Sequence, residues 1–114
     1  MRKGKILIGN KIFPILITES SLEREKGLMN VSPPVPSMLF DFGSNRVNKF
    51  WMKNTPAPLD IVFCSNGKIV DICYGEPNST KLIGGDYNSN IVVEFPYGTC
   101  SREHISIGDE ISVI

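Results

Sequence analysis

The run Phe50-Trp51-Met52-Lys53-Asn54-Thr55-Pro56-Ala57-Pro58-Leu59-Asp60 holds the densest set of chemistry-bearing side chains in the sequence. It contains the only tryptophan, together with a lysine, an asparagine and an aspartate. An aromatic wall with Lys53, Asn54 and Asp60 converging beside it is the kind of polar set that orients a small ligand. The same residues also have ordinary roles open to them. Trp51 could cover a core edge, Lys53 could reach into water, and Asn54 could bond turn backbone ahead of the prolines.

Asp60 and Asp71 form a second candidate. Two carboxylates on one strand face could do acid–base work or bind a cation. They could equally be solvated residues flanking a strand, with Asp60 ion-paired to Lys53. His104 is the only histidine, and Cys100 could share its helical turn. Nothing nearby supplies the orienting group or oxyanion donors that a nucleophilic dyad needs. No serine or cysteine sits in a nucleophile-elbow pattern. Gly84-Gly85 fits no phosphate-binding motif. The cysteines Cys64, Cys73 and Cys100 are odd in number and match no zinc spacing, so they read as reduced thiols. No catalytic nucleophile, metal or cofactor is expected.

The elements that must position these residues are short. Asn66-Gly67 lies between the apolar runs Asp60–Cys64 and Lys68–Tyr74 and predicts a tight hairpin, because its turn type needs positive φ at both positions. That turn sets Ser65 opposite Lys68, Cys64 opposite Ile69, Val62 opposite Asp71 and Asp60 opposite Cys73. Alternation then gives one core face of Ile61, Phe63, Val70, Ile72 and Tyr74. The other face, Asp60, Val62, Cys64, Ile69, Asp71 and Cys73, is mixed. Cys64 and Cys73 fall four pairs apart, roughly 13 Å at the usual strand rise, which excludes a disulfide between them.

Gly9-Asn10 joins Ile6–Ile8 to Ile12–Ile17 in a second hairpin, and Pro14 assigns the latter strand to an edge or a bulge. Ser20 with Glu23 is a capping box, and Gly27 ends a helix over about Ser21–Lys26 that packs through Leu22. Ser32–Pro36 is a stiff loop. Met38–Phe42 and Val47–Lys53 are strands on either side of a Gly43-Ser44-Asn45 turn. Within the second, Val47, Lys49, Trp51 and Lys53 alternate with Asn48, Phe50, Met52 and Asn54. Residues Gly75–Asn90 read as a long loop of the functional or mobile kind. A strand over Ile91–Phe95, a helical turn near Ser101–His104 and a strand over Ile111–Ile114 complete the chain. The sum is a mainly β fold, a small antiparallel β-barrel or sandwich of about eight short strands with one short helix.

A chain of 114 residues fits one domain, residues 1–114. Apolar residues at 41% and charged ones at 21% exclude a disordered chain. Twelve basic side chains offset twelve acidic ones, so the basic excess of a nucleic-acid binder is missing. No apolar run approaches the roughly 18 to 20 residues of a membrane span. Ile6-Leu7-Ile8 is too short for a signal-peptide core, and the chain reads as cytoplasmic.

Arg24-Glu25-Lys26-Gly27-Leu28-Met29, Met38-Leu39-Phe40, Phe50-Trp51-Met52-Lys53-Asn54-Thr55 and Leu59-Asp60-Ile61-Val62-Phe63 together resemble the domain-of-unknown-function 192 family. Gly67-Lys68-Ile69-Val70, the Pro77 stretch, Val93-Glu94 with Gly98, and Ile107-Gly108-Asp109 fit it as well. The resemblance runs from about Ile12 to Ile114, and the Trp51 run followed by Leu59-Asp60 is its most specific part. It implies a small, mostly β fold whose biochemical role is unsettled. The family's pattern concentrates on Gly27, Met29, Trp51, Lys53, Asn54 and Asp60. This sequence departs from it at Ser37, where a glycine is usual before Met-Leu-Phe, and at Asn30, where a basic residue is common. Its lysine- and asparagine-rich composition would suit a phage-encoded copy.

The leading expectation is a non-enzymatic accessory module, monomeric or weakly oligomeric. It would bind a small molecule or protein partner, not nucleic acid or membrane, at a cleft bordered by Trp51, Lys53, Asn54, Asp60 and the Gly75–Asn90 segment. A hydrolase-like enzyme using Asp60 with Asp71 or Lys53 is the alternative. A structural subunit of a viral or larger assembly is the third reading.

Overall fold

The computed structural model describes residues 1–114. Gly9, at φ 59°, turns β1 (Arg2–Ile8) into β2 (Lys11–Ile17) in the expected hairpin. Pro14 pairs with Lys5 on the β1 side, while the other edge of β2 is open there, as its missing N–H demands. The capping box then starts α1 (Ser21–Lys26). The Ser20 hydroxyl accepts the Glu23 N–H at 3.1 Å, and the Glu23 carboxylate accepts the Glu19 N–H at 2.7 Å. Gly27 ends the helix at φ 50° and ψ −126°, a conformation open to glycine alone. No residue of α1 is buried, and Leu22 is 78% exposed, contrary to its expected packing role. Six residues make under two turns, so the caps hold the helix and Leu28 just beyond anchors it.

The remaining elements are β3 (Met38–Phe50), β4 (Leu59–Ser65), β5 (Lys68–Gly75), β6 (Ile83–Pro96), α2 (Thr99–Arg102) and β7 (Ile111–Val113). The mainly β expectation holds, with seven strands and two short helices in place of eight and one. The first of two differences accounts for the strand count, and the second lengthens a strand. Gly43-Ser44-Asn45 does not break the chain into two strands. It lies inside β3, whose register against β6 slips between Asp41 and Arg46 and again between Val47 and Lys49. The supposed loop Gly75–Asn90 is half strand, because Ile83 and Gly84 pair with Phe50 and Lys49.

All seven strands form one sheet in the order β5-β4-β6-β3-β2-β1-β7, antiparallel except where β2 meets β3. It curls into a half-barrel. At one end its edges meet, where Ile69 N–H donates to the Asp109 carbonyl at 2.9 Å and Ile111 N–H to the Gly67 carbonyl at 2.9 Å.

The Asn66-Gly67 turn forms as expected, with φ of 48° and 88°. Ser65 faces Lys68 and Cys64 faces Ile69. Beyond them a bulge shifts the register by one, so Phe63, not Val62, lies opposite Asp71, and Asp60 lies opposite Tyr74. Val70 and Asp71 both turn to the Phe63 face, and Ile72 moves to the Val62 face. Tyr74, expected in the core, is 53% exposed.

The central strands are buried on both faces, as near-continuous apolar runs require. Val62, Cys64, Val93, Phe95 and Leu39 join the isoleucines of β1 and β2 in one core. Leu59, Ile61, Phe63, Val92, Met38 and Phe40 build a second core on the opposite face. β6 passes so close to this second core that a Cβ on Gly84, at φ 84°, would lie 2.3 Å from Phe63 Cζ. Gly84→Ala is therefore expected to cost about 1–3 kcal/mol from overpacking and backbone strain, read from the urea midpoint. Gly43, at φ 79°, has open space around its missing Cβ, so Gly43→Ala should cost clearly less. Equal losses would contradict the packing argument.

Candidate functional site

The structure disperses the four residues singled out by the sequence. Trp51 follows β3 and remains 43% exposed. Lys53 lies over its ring, with Nζ 5.2 Å from the centroid. Asn54 adopts φ 55°, and its carbonyl accepts the Asn30 N–H at 2.7 Å, tying the segment after α1 to the turn after β3. Asp60 is buried on the other face of the sheet, on the side of Val62, where Oδ2 accepts the Cys100 N–H at 3.0 Å. Its carboxylate thus anchors the start of α2 and does not share a cleft with Trp51.

The β4–β5 bulge also separates the carboxylates, since Asp71 shares the face of Phe63. Asp71 accepts the Ile72 N–H at 2.9 Å. Cys100 lies against Asp60, and burial, reinforced by that carboxylate, pushes its thiol up to about 12. A thiol so high is not a nucleophile near neutrality. All three cysteines are free.

Trp51 borders a cleft of about 450 Å³ between α1 and β3. Phe40, Phe42 and Phe50 form its aromatic wall, with Phe50 packed edge-on against the other two at 5.4 and 6.1 Å between centroids. Gly27 and Leu28 come from the end of α1, and Leu82 from the segment before β6. That segment is stitched to the Trp51 turn, with Met52 N–H on the Ser79 carbonyl and Asn78 N–H on the Thr55 carbonyl, both at 2.9 Å. Arg24, Glu25, Lys26 and Lys49 carry the charges of the cleft. Asn48 is buried in it and donates to the Ser89 carbonyl at 2.8 Å and the Ser89 hydroxyl at 2.9 Å.

The residue that sequence reasoning missed is Glu94. Strand alternation places it on the face of Val92, with Met38 and Ile61 directly opposite on the two neighbouring strands. It is 5% exposed, lines the cleft, and its Oε1 has no hydrogen-bond partner. The Cβ that Gly27 lacks would lie 3.5 Å from this oxygen. Burial pushes the carboxyl from 4.5 up to about 7. The available signal was a lone acid inside the apolar run Ile91-Val92-Val93-Glu94-Phe95.

Two outcomes follow from these placements. Asp60→Ala leaves the Cys100 N–H unpaired in a buried site and should cost about 1–3 kcal/mol. Asp71→Ala, at a half-buried position in the β5 bulge, should cost less, and equal denaturant midpoints would contradict this. Glu94 makes stability depend on pH. Below pH 4.5 folded and unfolded chains both hold the proton, and between 4.5 and about 7 only the folded chain does. Stability should therefore fall as pH rises across that window, by about 3 kcal/mol in all, and level off above it. Glu94→Gln should remove that decline, and an unchanged pH profile in the variant would contradict the placement.

Comparison with known proteins agrees with this fold. Residues 5–113 match the family model for DUF192, an uncharacterized ACR. A candidate transcription regulator from Sinorhizobium meliloti 1021 is 30% identical, with a TM-score of 0.90 over 98% of this chain and 94% of that one. A protein of unknown function from Novosphingobium aromaticivorans DSM 12444 is 24% identical, with a TM-score of 0.88 over 96% of this chain and 84% of that one, and shares the fold. No curated protein matches the sequence. A family match over nearly the whole chain means that this protein belongs to the domain-of-unknown-function 192 family.

Proposed function

We propose that this protein is a non-enzymatic binding module that takes a small molecule in the cleft between α1 and β3. The observation that carries the reading is the unpartnered Oε1 of Glu94, a buried residue that lines this aromatic-walled cleft. A buried acceptor without a partner costs the fold about 1–3 kcal/mol, and such a cost is characteristic of sites kept for a ligand. A concave, mostly apolar cleft with a few polar groups is the usual form of a small-molecule site. The description of the Sinorhizobium meliloti protein as a regulator would call for DNA contact. Twelve basic against twelve acidic side chains offer no charge excess for phosphate, so the small-ligand reading is preferred. The free thiols suit a reducing compartment, and the reading includes a cytoplasmic setting. No helix is long and apolar enough to cross a membrane.

Trp51 supplies the reporter, being the only tryptophan and part of the cleft wall. A panel of small amines, alcohols, amides and carboxylates should contain at least one class that raises the melting temperature and shifts Trp51 emission. A ligand at a hundred times its Kd adds about 2.7 kcal/mol. The thermal shift should disappear in Trp51→Ala. No shift with any class, or an equal shift in Trp51→Ala, would overturn the reading.

A further inference from the structure

Resting on that reading of the cleft, we infer that it is shaped for a small zwitterion, with an ammonium or guanidinium seated on Glu94 and an anionic group held at the mouth. The floor offers acceptors. Glu94 Oε1 is unpartnered, and Asn48 spends its amide N–H groups on Ser89 and the Arg46 carbonyl. Thr55, which also lines the cleft, donates its hydroxyl to the Lys53 carbonyl at 3.2 Å and keeps only lone pairs. A group rich in N–H donors is the complement of such a floor. The phenylalanine wall favours the same charge, because aromatic faces attract cations.

The mouth has the opposite character. Arg24 and Lys26 of α1 and Lys49 of β3 outnumber Glu25, and none of these four forms an ion pair. β4 and β6 bring no further charge beside Glu94, whose cross-strand neighbours are Met38 and Ile61. A simple cation would meet repulsion at the mouth, and a simple anion would meet Glu94 at the floor. A molecule with a cationic nitrogen at one end of a short apolar stem and a carboxylate or phosphate at the other satisfies both. Glu94 must ionise to seat the cation, and the empty cleft holds its proton to about pH 7. Affinity should therefore rise about tenfold from pH 6 to pH 8, with proton release on binding at the lower pH.

The test uses the full chain and calorimetric titration with 6-aminohexanoate and 4-guanidinobutyrate. The reference probes are 6-hydroxyhexanoate, hexanoate and hexylamine. At least one zwitterion should bind tenfold or more tightly than 6-hydroxyhexanoate, hexanoate and hexylamine. Glu94→Gln, checked for native circular dichroism, should lose tenfold or more. Lys49→Glu, at the exposed mouth, should erase the preference for 6-aminohexanoate over hexylamine and serves if the Glu94 variant fails to fold. Any of the three reference probes, anionic or cationic, binding as well as the zwitterions, or affinity falling with pH, would overturn the inference while leaving the cleft a binding site. Silence from both zwitterions would overturn it too, and the cleft reading would then stand or fall on the broader panel.

Discussion

The side-chain alternation of β6 is the constraint from which the site follows. Val93 and Phe95 must face the isoleucine core of β1 and β2, so Val92 and Glu94 must face the other way. Both neighbouring strands are paired there, and they present Met38 and Ile61. Glu94 cannot leave this position without turning Val93 and Phe95 out of the first core. The fold thus holds a carboxyl among apolar side chains with one oxygen unpartnered. Gly27 completes the arrangement, since the chain's passage over that oxygen requires a backbone conformation, φ 50° with ψ −126°, that only glycine supplies.

Much of the architecture was legible wherever a local rule had no competitor. Ser20 with Glu23 marked the start of α1, Asn66-Gly67 marked its hairpin, and Gly9 marked the first turn. Two of the errors share one cause. A bulge leaves almost no trace in a sequence, because it is set by how two strands share the curl of the whole sheet. The bulge at Val70 and Asp71 moved Asp71 away from Asp60, and slips in β3 carried the strand through Gly43-Ser44-Asn45. Ile83–Asn90 lacks an apolar pattern because its early residues are glycines and polar side chains held by pairing to β3, not by burial.

The site was legible only in part. Trp51 stood out as the lone tryptophan in a polar run, and it does border the cleft. Lys53 and Asn54 lie in the same turn, yet one serves the Trp51 ring and the other offers its backbone to Asn30. Asp60 was singled out for chemistry, but its strand position sends it to the opposite face, where it organises α2. Its hydrogen bond joins residues forty apart, which no local spacing announces. Glu94 was hidden for the converse reason. An acid in an apolar run can face solvent or core, and only the pairing of β6 with both β3 and β4 decides which. Membership of the family names the fold and leaves the chemistry to be read from such placements.

The central claim concerns one carboxyl group, and it can be observed directly. Carbon-13 NMR of the side-chain carboxyls, with Glu94→Gln used to assign the Glu94 resonance, follows that group alone through a pH titration. A midpoint near 7 is the result expected from a carboxyl enclosed by Met38, Ile61 and Gly27. A midpoint near 4.5, the value of an acid in open water, would place Glu94 outside the sheet and remove the floor of the cleft.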